Sequence, residues 1–181
     1  LLSITALLII SALGMSIVLF QLLTGVPPLS SNMHEAMDVV SLLKKADLAD
    51  GSVIYELGSG WGSLALTLAR AFPAAQVRGI EISPLPYWVS RFRTRRMPNV
   101  KLYRGDFFDR DLGDANAVTC FLMGKSMPKL AALLDRSLGP DTPVVSLCFW
   151  FRDRKVAASL TGAGPLGAAA LYYWPAHRQI D

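Results

Sequence analysis

One stretch constrains this 181-residue chain more than any other: Val53-Ile54-Tyr55-Glu56-Leu57-Gly58-Ser59-Gly60-Trp61-Gly62-Ser63-Leu64-Ala65-Leu66. Val53 to Leu57 is a short β-rich run of the kind that fits a parallel strand covered on both faces. Gly58, Gly60 and Gly62 then permit a sharp turn and a close backbone approach to a flat or charged group. A helix starting near Trp61 aims its free N–H groups, and the positive end of its dipole, into that turn. The expected unit is a strand, a binding turn and a helix. A dinucleotide fingerprint would read G-x-G-x-x-G. Here the third glycine, Gly62, comes one place early, and Ser63 stands where that fingerprint has glycine.

The rest of the chain alternates strand-like and helix-like segments. Residues 33–46 place Met33, Met37, Val40 and Leu43 at helical spacing and end in Lys44-Lys45, which suits a helix C-terminus. After the glycine turn the helix is expected to run to Phe72, where Pro73 stops it. Further strands are expected at 76–82, 100–104, 115–122, 143–151 and 168–174, with helices at 84–97 and 126–138. Pro128 in the first turn of the last helix is tolerated there. Such alternation with short connections predicts a parallel α/β sheet. Glu81 falls at the C-terminal end of the second strand, where such sheets place ligand contacts. About 20 residues beyond the glycine turn, a carboxylate can accept from two ribose hydroxyls. A solvated loop carboxylate is the competing reading.

The two ends of the composition range are informative. Residues 1–23 carry no charge and are dominated by Leu, Ile, Val, Ala and Phe. That length suffices to cross a hydrocarbon core of about 30 Å. A cleaved signal peptide or a buried core helix would compete, but no Ala-x-Ala-like site lies near Gly25-Val26-Pro27-Pro28. The expectation is a single-pass anchor at 1–24, a Pro/Ser linker at 25–32 and a catalytic domain at 33–181. Residues 84–97 instead combine Tyr87, Trp88 and Phe92 with Arg91, Arg93, Arg95 and Arg96. Three readings stay open for them: a solvated basic face, contact with anionic lipid headgroups, or nucleic-acid contact. No recognised nucleic-acid module surrounds the cluster, so no nucleic-acid partner is expected. Cys120 and Cys148 sit in apolar runs and read as buried thiols in core strands rather than a disulfide framework. With only His34 and His177, and no Cys-x-x-Cys, no metal site is expected.

The pattern Glu-x-Gly-x-Gly-x-Gly, from Glu56 to Gly62, resembles motif I of the class I S-adenosylmethionine (SAM) methyltransferases. A closer likeness covers residues 27–151. It comprises Pro27-Pro28-Leu29-Ser30-Ser31, Glu56-Leu57-Gly58-Ser59-Gly60, Gly79-Ile80-Glu81-Ile82-Ser83-Pro84 with Trp88-Val89-Ser90-Arg91-Phe92-Arg93 after it, and Phe121-Leu122-Met123-Gly124. In that order these segments look like the small membrane-anchored protein-lysine methyltransferases. Mitochondrial members of that family modify the adenine nucleotide translocase and the ATP synthase c subunit, and prokaryotic relatives exist. Trp61 departs from the family's Gly-Ser-Gly-Asp-Gly, and Ser30-Ser31 from its Pro-Thr-like segment.

The resemblance implies a Rossmann-like class I methyltransferase sheet, mostly parallel, with SAM as cofactor. With little chain after the fifth strand, a trimmed version of the usual seven strands is expected. Glu56, Gly58, Ser59, Gly60 and Gly62 would surround the methionine part of SAM, with Glu56 facing its cationic end. Glu81 and Ile82 would lie at the ribose. Asp106 would accept from the adenine amine, with Phe107 or Phe108 packed on the ring. Phe121, Met123, Gly124, Trp150 and Phe151 would line the acceptor side, and His34 and Glu35 would cover the cofactor. No catalytic His or Cys is implied, because methyl transfer needs an in-line nucleophile at about 3 Å and little covalent help. The expected acceptor is a protein lysine on a membrane partner. A lipid headgroup amine, a small lipophilic molecule, or SAM binding without turnover are the alternatives. Because SAM is intracellular, the domain is expected to face the cytoplasm or the mitochondrial matrix.

Overall fold

The computed structural model describes residues 3–8, 11, 14, 15, 33–161 and 168–176. Most of residues 1–23, the linker at 25–32, and His177 lie outside them. Among the described residues no helix is long and apolar enough to cross a membrane. The expected anchor therefore draws no support from them.

Four helices and seven strands make up the described domain. They run α1 (Met33–Leu43), β1 (Val53–Leu57), α2 (Ser63–Ala71), β2 (Gln76–Glu81), α3 (Pro84–Thr94), β3 (Val100–Arg104), β4 (Ala117–Cys120), α4 (Met127–Ser137), β5 (Thr142–Leu147), β6 (Ala158–Thr161) and β7 (Ala168–Trp174). The strands form one sheet in the order β3-β2-β1-β4-β5-β7-β6. The first five are parallel, and β7 runs antiparallel to both β5 and β6. Parallel neighbours need helical crossovers, which cover both faces, so β1, β4 and β5 are almost wholly buried.

Side-chain alternation divides the core in two. Ile54, Val77, Val145 and Leu147 pack with α1 and α2 on one face. Tyr55, Ile80, Val118 and Val144 pack with α4 on the other, where Phe151, Tyr172 and Trp174 form edge-on ring contacts. The face of α1 is Ala36, Val39, Val40, Leu42 and Leu43. Of the expected stripe Met33, Met37, Val40 and Leu43, the last two are buried, whereas both methionines are exposed and the buried face turns towards Ala36, Val39 and Leu42.

The sheet keeps seven strands and is not trimmed. The strand missing from the sequence reading is β6, whose four residues Ala-Ser-Leu-Thr alternate but are too few to stand out. It forms by pairing with β7. What is short is the connection from β5 to β6, which carries no helix. The fifth strand ends at Leu147 rather than Phe151, and Cys148, half-buried, already adopts φ 68°. The fourth strand is confined to Ala117–Cys120, so Phe121 and Met123 stand on a loop beyond it and Gly124 opens the short 3-10 turn Gly124–Ser126.

Asn99 closes the turn between α2 and β2 from outside. Its side-chain amide donates towards the carbonyls of Ala69, Phe72 and Ala75 at 3.0, 3.3 and 3.2 Å. These include acceptors that the end of α2 cannot satisfy internally. Asn99→Ala is expected to destabilise the full chain by about 1–3 kcal/mol, the penalty for leaving buried acceptors unpaired. A urea midpoint unchanged from wild type would contradict this account.

Candidate functional site

The glycine turn and two carboxylates meet at the C-terminal edge of β1 and β2. Parallel pairing sets Glu56 opposite Gly79, and alternation sends Glu56 and Glu81 to the face that carries Ile54 and Val77. The amides of Gly58 and Ser59 both donate to the carbonyl of Ile80, at 2.9 and 3.0 Å. The Gly62 amide donates to the Ser59 carbonyl at 2.9 Å. Gly58, Gly60 and Gly62 have φ of 78°, 50° and 78°, a region open to glycine at little cost.

Glu81 fastens this turn. One carboxylate oxygen accepts from the Gly60 amide at 2.8 Å, and the other from the Ser83 amide at 2.7 Å. A carboxylate offers about four lone-pair sites, so each oxygen retains capacity for a ligand hydroxyl. Gly62 also permits a close helix contact: a Cβ there would lie 2.8 Å from the Cβ of Ser90 on α3. Arg93, one turn further along α3, donates to the Trp61 carbonyl at 2.6 Å and towards the Ser63 hydroxyl at 3.3 Å. The sequence reading left Arg93 to a solvated, lipid-contacting or nucleic-acid-contacting face. The signal for its inward role is Ser90, a small residue three places earlier that packs on the glycine.

Glu56 sits deeper. It is 4 % exposed, and its Oε2 has no hydrogen-bond partner. Burial, and then the negative charge of Glu81, push its carboxyl well above the ordinary range. The Ser59 hydroxyl is likewise buried without a partner. A buried carboxylate oxygen and a buried hydroxyl, both without a partner beside the glycine turn, fit a ligand with a cationic end and polar substituents. The methionine and ribose parts of SAM have that chemistry.

The other expected residues divide. Ile82 follows Glu81 and is 41 % exposed, so its side chain is open to a ligand at this edge. Asp106, just past β3, accepts from the Phe108 amide at 2.9 Å and caps the short turn Phe107–Asp109. That occupies one oxygen and leaves the carboxylate beside the two phenylalanine rings, whose centroids are 4.4 Å apart. On the acceptor side, Met123 is partly exposed and Trp150 is exposed, with its indole N–H directed to the Ala168 carbonyl. Gly124 lies against the Phe149 ring, which a Cβ would approach to 3.1 Å. Phe121 packs partly into the core beside α1. Phe151 is excluded from the acceptor side, because it is 4 % exposed and wedged against Tyr172 and Trp174. Glu35 is buried, whereas His34 points to solvent.

Neither thiol is a candidate nucleophile. Burial pushes Cys120 up to about 12 and Cys148 up to about 11, so neither supplies thiolate near neutrality. Among the described residues no group of three His, Cys, Asp or Glu side chains could hold a metal ion.

This sheet, turn and carboxylate pair define a class I SAM-dependent methyltransferase. Residues 56–158 match the family model of the ANTKMT methyltransferase domain, and the chain belongs to that family. A protein-lysine N-methyltransferase of Saccharolobus islandicus is 29 % identical over 120 residues, spanning 61 % of this chain and 71 % of that one. A release factor glutamine methyltransferase of Vibrio cholerae is 37 % identical over 68 residues, 36 % of this chain and 23 % of that protein. The fold is similar to that of an RNA methyltransferase from Salinibacter ruber in complex with S-adenosylhomocysteine. There the TM-score is 0.73 and the identity 28 %, covering 84 % of this chain and 98 % of the other.

The state of Glu56 has a measurable consequence. Below its ordinary value of 4.5 the group is protonated whether the chain is folded or not. As pH rises past that point the unfolded chain releases the proton while the folded chain retains it, so stability falls until the folded group also ionises. Without SAM, wild type is therefore expected to lose stability relative to Glu56→Gln as pH rises above 4.5. Parallel melting curves for the two proteins would refute this.

Proposed function

We infer that this methyltransferase acts on a lysine side chain of a protein partner, and that residues 1–23 hold it at a membrane. The lysine reading rests chiefly on the kinship with the Saccharolobus protein-lysine methyltransferase. The membrane reading rests on the uncharged, apolar residues 1–23. The catalytic domain then faces the compartment that holds SAM, the cytoplasm or the mitochondrial matrix.

SAM supplies an electrophilic methyl group on a sulfonium. In this reading Glu56 faces the cofactor's cationic end, and the backbone of the turn Gly58 to Gly62 approaches its methionine part. Glu81, with Ile82 beside it, accepts from the ribose hydroxyls, Asp106 accepts from the adenine amine, and Phe107 packs on the ring. Met123 and Trp150, beyond β4 and β5, bound the path of the acceptor. Their apolar surfaces favour a neutral amine, the form of lysine that can attack, because a low dielectric disfavours the ammonium. The chain's own contribution is positioning and exclusion of water.

Two outcomes test this reading. Glu81→Gln is expected to weaken SAM binding about 10–100-fold in calorimetry, since hydrogen bonds to a charged group are worth about 1.5–3 kcal/mol. Incubation of the full chain with labelled-methyl SAM and membranes is expected to label protein, with methyl-lysine recovered after hydrolysis. Label confined to extracted lipid or to RNA would overturn the lysine reading while leaving the SAM site intact.

A further inference from the structure

The α3 helix presents two unlike faces. Pro86, Tyr87, Ser90 and Thr94 are buried against the domain. Trp88 and Phe92, four residues apart, project on the outer side and are 56 % and 64 % exposed. Arg91 and Arg95 alternate with them on the same stripe. The Arg91 guanidinium lies 5.5 Å from the Trp88 ring centroid, and that of Arg95 lies 3.7 Å from the Phe92 centroid.

The charge around this stripe is of one sign. Residues 83–105 contain Arg91, Arg93, Arg95, Arg96, Lys101 and Arg104, and no Asp or Glu. That segment carries +6 while the whole chain is +4, so everything outside it sums to −2. All six cations are exposed, and β3, which bears two of them, is an edge strand.

We propose that the outer face of α3, with the cationic edge beside it, is a docking surface for an anionic lipid bilayer. Exposed aromatics spaced one helical turn apart among arginines suit the headgroup–acyl boundary, and the cations suit anionic headgroups. The proposal goes beyond the membrane reading above, because it stands whether or not residues 1–23 cross a bilayer. Its consequence for the reaction is orientation. The same helix starts at Ser83, held by Glu81, and reaches back through Arg93 to the Trp61 carbonyl, so a bilayer that seats α3 also orients the glycine turn.

The test uses the full chain with brominated vesicles of phosphatidylcholine, alone or mixed with phosphatidylglycerol. Comparison with Trp88→Phe isolates the Trp88 fluorescence from that of Trp61, Trp150 and Trp174. The Trp88 signal is expected to be quenched on the mixed vesicles and not on the neutral ones. It should recover as salt shortens the screening length from about 10 Å towards 3 Å, and in the double variant Arg91→Glu/Arg95→Glu. SAM affinity of that variant should stay within twofold of wild type, which shows that it is folded. Flotation on neutral vesicles reads residues 1–23 separately and should not change in the variant. Flotation without Trp88 quenching would overturn the proposal and spare the anchor. Quenching that is equal on both vesicles, or that survives the charge reversal, would also overturn it. So would perturbation of Trp88 by single-stranded RNA but not by anionic vesicles.

Discussion

The Glu81 carboxylate joins three things that sequence separates. It accepts from Gly60 in the glycine turn and from Ser83 at the start of α3, and it ends the strand that pairs with β1. A turn built from three glycines has little conformational preference of its own and loses much entropy on ordering. A charged acceptor gripping one of its amides, with the Ile80 carbonyl gripping two more, gives that turn a single shape. The backbone of the site is thereby in place before any ligand arrives.

Close packing beneath the turn leaves little room for change. Gly62 lets α2 and α3 approach until Ser90 nearly touches the glycine backbone. Gly79, in the strand below, is bounded by Ser59 and Leu102 so that an added Cβ would come within 3 Å of each. Arg93, one turn beyond Ser90 on α3, then holds the Trp61 carbonyl. The bulky Trp61, the family's acidic position, is thus carried on a backbone tied at both ends. Against this rigidity stands one destabilised group, Glu56. Its burial without a partner is unfavourable for the carboxylate in the absence of ligand and favourable once a cation is supplied, which is how a fold converts stability into affinity.

How much was legible in advance follows from the range of the interactions. Strand β3 and strand β7 fall on the residues that alternation and flanking turns indicate, and Glu81 falls at the end of its strand as spacing requires. The face of α1 was misplaced at its start because Met33 and Met37 continue an apolar stripe by sequence, while the domain buries Ala36, Val39, Val40, Leu42 and Leu43. Phe151 reads like a strand-end residue for an acceptor site. The early end of β5 instead rotates it into a cluster with Tyr172 and Trp174, residues more than twenty positions away. Strand β6 was invisible because its stability comes from its partner and not from its own four residues.

The sequence by itself determined the strand–turn–helix unit, its mismatch to a dinucleotide fingerprint, and the order of three acidic residues at or near the ends of three strands. Those are local properties: glycine spacing, alternation and helix stops act within a few residues. Only the tertiary structure decided that Glu56 is buried beside Glu81, that Glu81 staples the turn, and that Arg93 leaves the basic stripe to hold Trp61. It also left Trp88 and Phe92 outside. Each of these depends on which side chains meet across the sheet or between helices. Distance and burial set the strength of a charge or a hydrogen bond, and neither is a property of residues taken one at a time.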